Sequence, residues 1–200
     1  MKKSLTLVAT AVIVLAGLMA VTRLMSPEDA WICVDYQWVK HGNPSSPLPT
    51  SGCVFDPKDA TINIDGQTIT LVNGVFEIPV APDSASVMTT AYFGNKAKGD
   101  LNGDGLEDTA FLITQDGGGT GLFYYVVAAI KAENGYQMTN AFFIGDRISP
   151  QTTEIRSDTG ELSVNYAERN PEEPMTAQPS LGVTLRLKVN SEGTLEKVPT

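Results

Sequence analysis

The stretch Asp100-Leu101-Asn102-Gly103-Asp104-Gly105-Leu106-Glu107-Asp108 sets oxygen-bearing side chains at alternate positions around a glycine turn. That spacing suits a hard divalent cation, which takes about six to eight oxygens at about 2.3–2.6 Å from a chain that wraps it with every second residue facing inward. Asp100, Asn102 and Asp104 fill loop positions one, three and five, and Gly105 at position six permits the sharp turn. Leu106 at position seven offers its backbone carbonyl, and Asp108 at position nine closes the shell, so calcium (Ca2+) is the expected ion. Glu107 is expected to point outward.

Strands must hold this loop. Position twelve is Phe111 where an EF-hand has Glu, and Thr109-Ala110-Phe111-Leu112-Ile113-Thr114 is apolar and β-branched. Strand-flanked loops closed by an acid at position nine resemble those of FG-GAP and integrin-propeller blades. This chain has one copy, so the resemblance covers the loop and implies no closed propeller.

Strand patterns fill the rest of the C-terminal region. Thr61–Ile64, Thr68–Leu71 and Val75–Ile78 are separated by Asp65-Gly66 and Asn73-Gly74, which read as hairpin turns. A strand is expected from Ser86 through Tyr92 into the loop, and others over Phe111–Gln115 and Leu122–Ala132, joined by Asp116-Gly117-Gly118-Gly119-Thr120-Gly121. Leu122 to Ile130 is apolar on both faces, which places it mid-sheet and covered on each side; Tyr124-Tyr125-Val126-Val127 favours strand over helix there. Further strands follow over Tyr136–Ile144, Thr152–Arg156, Leu162–Tyr166, Val183–Val189 and Thr194–Lys197. The expected class is all-β, a mainly antiparallel sheet domain, sandwich or open twisted sheet, after an N-terminal transmembrane helix.

That helix is read from Lys2-Lys3 followed by Leu5–Thr22, 18 residues without a charge. At about 1.5 Å per residue the run spans about 27 Å, enough for a bilayer core. The flanking charges favour a cytoplasmic N-terminus and an extracytoplasmic remainder. A cleaved signal peptide is the alternative, but Leu18-Met19-Ala20 is a poor cleavage site, so a cell-membrane anchor over residues 1–25 is preferred to secretion. Cys33 and Cys53 are then expected to form a disulfide worth roughly 3 kcal/mol on chain-entropy grounds. It would staple residues 26–53 into a small stalk, in which Trp31–Val39 forms a strand or hairpin before the proline-rich Gly42–Pro49. Residues 54–200 make up the calcium-stabilised domain. Trp31 and Trp38 could stack on a sugar, although they serve more simply as the core of the stalk.

The chain carries a net charge of −9, and without its N-terminal 25 residues the remaining 11 basic and 23 acidic residues give −12. An acidic surface repels phosphate backbones, so no nucleic-acid partner is expected. Histidine-dependent nucleophilic hydrolysis has only His41 to draw on, in the stalk, and zinc catalysis lacks its ligands. Gly117–Gly121 lacks the Gly-Lys-Ser/Thr ending of a phosphate cradle and reads as a turn. Asn165–Met175 places acids, an arginine and a tyrosine at a strand end, either a recognition surface or a rigid connection.

Taken together, Gly99–Asp108, Gly118-Gly119-Thr120-Gly121-Leu122-Phe123-Tyr124-Tyr125, Gly145-Asp146-Arg147-Ile148 and Pro174-Met175 look like the motif order of LppP/LprE-type bacterial lipoproteins, over roughly residues 86–190. The resemblance implies a bacterial envelope protein and supplies no catalytic residues. This chain has no lipidated cysteine, and Thr176-Ala177 stand where a cysteine pair is expected. The expected function is binding or structural, with an envelope protein or glycan as ligand. The alternatives are an enzyme acting on cell-wall glycan or peptide through carboxylates, or a secreted factor.

Overall fold

The computed structural model describes residues 30–34, 37–50, 55–133, 135–174 and 176–199. Among them the regular structure is β, apart from one 3-10 turn, Pro57–Asp59. The predicted membrane segment lies in residues 1–29, outside the described residues. No helix among the described residues is long and apolar enough to cross a membrane. Cys53 and the Cys33 side chain also fall outside, and the expected disulfide with them.

Strands β1 (Ala30–Val34) and β2 (Gln37–His41) form a hairpin, and the proline-rich stretch after it pairs with no strand among the described residues. Strands β3 (Thr61–Ile64) and β4 (Gln67–Thr70) form a second hairpin around Asp65-Gly66. The main sheet holds β5 (Val75–Pro79), β6 (Val87–Gly99), β7 (Asp108–Asp116), β8 (Phe123–Ala132), β9 (Gly135–Met138) and β10 (Phe142–Asp146). Its order is β10-β8-β7-β6-β5, with β9 beside β10 on the same flank of β8. A second sheet follows in the order β11 (Ser149–Arg156), β12 (Glu161–Glu168), β13 (Leu181–Val189), β14 (Leu195–Lys197). Every strand pairing is antiparallel.

Strands β7 and β8 are apolar on both faces because both are covered. Ala110, Leu112, Tyr124, Val126 and Ala128 pack against Leu162, Val164, Leu185 and Leu187 of the second sheet. Phe111, Ile113, Tyr125 and Val127 on the other face pack against Ile62, Ile64, Ile69 and Leu71 of the β3–β4 hairpin. The molecule is thus a two-sheet sandwich with a hairpin as third layer.

Two sequence expectations need correction. Asn73-Gly74 does make a tight two-residue hairpin turn, Val72 and Val75 exchanging both backbone bonds at 3.0 and 3.2 Å, but the pairing ends at that bridge and β4 and β5 belong to different sheets. Gly74 N–H donates to Lys58 O at 2.7 Å and Asn73 N–H to Asp59 Oδ1 at 2.9 Å, so this turn carries the chain from the hairpin layer into the main sheet. Tyr136–Ile144 is two strands. Thr139 interrupts it by accepting from Ala128 N–H through Oγ1 at 2.9 Å while its own N–H bonds Ala128 O. The adjacent Asn140 reaches the far sheet, accepting from Leu195 N–H at 2.7 Å and donating to Leu195 O at 3.4 Å.

Candidate metal loop

Strands β6 and β7 meet at the pair Gly99–Asp108, and Asp100 to Glu107 form the loop between them. Each polar side chain expected to face an ion is already tied into the turn. Asp100 accepts from Gly103 N–H at 2.6 Å and Gly105 N–H at 2.9 Å, one through each oxygen. Asn102 Oδ1 accepts from Asp104 N–H at 3.1 Å, and Asp104 Oδ1 from Leu106 N–H at 2.7 Å. Asn102 Nδ2 also donates to Asp104 Oδ2 at 2.9 Å. Gly103 and Gly105 both sit at φ +81°, a left-handed conformation that side chains resist.

The structure therefore brings Asp100, Asn102 and Asp104 together around one ring of backbone N–H groups. Asp108 stands behind them, fully buried, with Oδ2 accepting from Leu101 N–H and Oδ1 from Lys131 N–H, both at 2.8 Å. Its orientation joins three segments, and among the described residues no three acidic, histidine or cysteine side chains stand grouped as a metal cage. Leu106 supplies an N–H to Asp104 within the same turn. Glu107 points outward as expected and pairs with Lys98 at 2.5 Å.

Electrostatics separate the two ends of the loop. The Gly105 N–H, with further N–H groups of the turn, holds the Asp100 carboxyl below the usual range against a weaker opposing effect of burial. Burial pushes Asp108 up; the Leu101 and Lys131 N–H groups oppose this, and repulsion from Asp104 and Asp100 adds to it. A cation beside these three acids would favour their charged forms.

Spacing alone missed the groups that clamp the loop from outside. Ser157, in the β11–β12 turn, accepts from Asp100 N–H through Oγ at 3.0 Å. Gly99 is required by this approach, since a Cβ there would lie 2.5 Å from Ile155 Cγ2 and 2.9 Å from Ser157 Oγ. Leu101 turns into the main core, 3% exposed. The apolar residue inside a polar loop was the readable sign of that anchor.

The other candidate stretches make contacts within the fold. Gly117–Gly121 connects β7 to β8 as a hairpin. Arg169, after β12, donates to the backbone oxygens of Arg147 and Asp146 at 3.3 Å each, which fixes the connection after β12 to the end of β10. Trp31 Nε1 donates to Ser46 O at 2.9 Å and holds the proline-rich segment against the first hairpin. The side chain of His41 lies outside the described residues. No protein-family model, curated protein or solved structure matches this chain.

Proposed function

We propose that the protein is a membrane-tethered, extracytoplasmic β domain that binds calcium through Asp100–Asp108 and serves a binding or structural role in a bacterial envelope. The observation that carries the metal reading is the ring formed by Asp100, Asn102 and Asp104. Each side-chain oxygen that accepts an N–H there keeps a second lone pair, so the turn can stay intact while the same oxygens ligate an ion. Asp100, Asn102, Asp104, the Leu106 carbonyl and Asp108 would hold the ion, which supplies positive charge to three clustered acids. The role is one of order rather than catalysis, because the loop joins two long central strands. The tether rests on Lys2-Lys3 and the uncharged run Leu5–Thr22.

Thermal unfolding of the full chain, with calcium and with chelator, tests the metal. The midpoint is expected to rise with calcium in the parent and to stay fixed in Asp104→Ala. An equal response of both, or of neither, removes the metal reading and leaves an acidic turn stabilised by its own N–H groups.

A further inference from the structure

A sheet end exposes unpaired N–H and C=O groups, and folded proteins usually guard it with charge, proline, bulges or cover. Among the described residues, three of the four ends of the two larger sheets are guarded. Strand β5 carries Glu77 and Pro79. Strand β11 carries Pro150, Glu154 and Arg156, and Asn95 Nδ2 bonds Gln151 O from the main sheet. Strand β14 has three residues, two of them charged, and Asn140 grips its first.

Strand β10 differs. Among the described residues it pairs with β8 and with no other strand. Its first four residues, Phe142-Phe143-Ile144-Gly145, have neither charge nor proline, and Asp146, its last, is taken up by the Arg147 guanidinium and Leu122 N–H. The β3–β4 hairpin caps its approach, Ala141 N–H donating to Asn63 O at 3.4 Å. Its neighbour β9 lies against β2, with Gln137 beside Gly193. A bulge between Phe143 and Gly145, and the Arg169 guanidinium on Asp146 O at the far end of the strand, are the devices β10 retains, and neither covers Phe142 and Phe143.

An apolar rail accompanies this edge. Phe143 is 51% exposed and Phe123 37%, their ring centroids 6.3 Å apart, and Tyr125 stands 5.5 Å from Phe143. Asp65, at the hairpin tip, is near enough for its charge to add to burial in raising the Tyr125 phenol. Residues 55–200 carry 20 acidic and 10 basic residues, so a second copy of the domain is repelled. A cationic strand is attracted.

We propose that β10 is a strand-addition site for an extended, lysine- or arginine-bearing segment of another protein, pairing with the free edge at Phe142–Gly145 and laying its apolar side chains on Phe143 and Phe123. Main-chain pairing supplies affinity in such a mode and alternate side chains supply selectivity. The site lies outside the metal loop and does not depend on an ion there.

Fluorescence anisotropy of a ten-residue alternating lysine-valine peptide against the full chain tests this, with an alternating glutamate-valine peptide alongside. Saturable binding of the basic peptide is expected, at least tenfold weaker in Phe143→Lys and unchanged in Val72→Lys, a substitution at an exposed site away from β10. The amides of residues 142–145 should gain protection from hydrogen exchange on binding. If Phe143→Lys shifts the unfolding midpoint, Phe143→Ser is judged by the same tenfold criterion. Equal weakening by both lysine variants, binding of the acidic peptide, no binding at all, or a dimer of the parent that Phe143→Lys abolishes would each overturn the proposal.

Discussion

At one end of β7 the chain arrives through Asp100–Glu107, and at the other it leaves through Gly117–Leu122. Both connections are rich in glycine and both join antiparallel neighbours of one sheet. In the first, side-chain oxygens at alternate positions accept the turn's N–H groups, and Ser157 and Lys131 tie it to two other strands' ends. In the second, Asp116 Oδ1 accepts from Gly118 N–H and Asp146 Oδ1 accepts from Leu122 N–H, one side-chain bond near each end. Glycine content therefore says where the chain turns. The residues between the glycines decide whether the turn is rigid.

The largest test of that difference exchanges an acid at each end. Asp108→Ala leaves the Leu101 and Lys131 N–H groups without their carboxylate, at about 1–3 kcal/mol each, partly offset by relief of a buried charge. A net loss of about 2 kcal/mol is expected from denaturant unfolding, against about 0.5 kcal/mol for Asp116→Ala, whose N–H partner is exposed. Equal losses would erase the distinction between the two connections.

Much of this contrast was readable beforehand. The oxygen-bearing side chains at positions one, three, five and nine mark the loop, and the doubly apolar β7 and β8 mark the centre of the sheet. What could not be read depended on partners distant in sequence. Nothing around Ser157 announces a bond to Asp100, and nothing near Asn140 announces that its amide grips Leu195 and helps divide one apolar run into β9 and β10. Asn73-Gly74 is the expected two-residue turn, yet its hairpin stops at the Val72–Val75 bridge, where Asp59 and Lys58 hold the turn as the chain passes into another layer.

A smaller effect, confined to acid, sharpens the clamp's side of the comparison. Glu161 follows the turn that carries Ser157, is 3% exposed, and accepts two bonds from Arg186 at 2.6 and 2.7 Å. The Arg186 guanidinium holds its carboxyl below the usual glutamate value. A depressed acid stabilises the fold above its unfolded value, near 4.5, and that contribution fades as pH falls through the lower folded value. Glu161→Gln should therefore flatten the acid limb of stability between those two values, read from unfolding midpoints at stepped pH. An unaltered acid limb in Glu161→Gln would remove this pair from the clamp.

The smallest effect belongs to the open connection. Deleting Gly119 and Thr120 shortens an exposed loop whose closure entropy varies slowly with length, so stability should change by about 0.5 kcal/mol or less in chemical denaturation. A loss above about 2 kcal/mol would show that this end is held as firmly as the other.

The bond from Asp100 to Ser157 spans 57 residues. A chain synthesised from its N-terminus at about 5–20 residues per second exposes the loop several seconds before the hydroxyl that clamps it. During that interval the acids have their own turn for support and no second sheet behind it. The loop is written early in the chain and completed late, so its final rigidity reports that β11 and β12 have been made and docked.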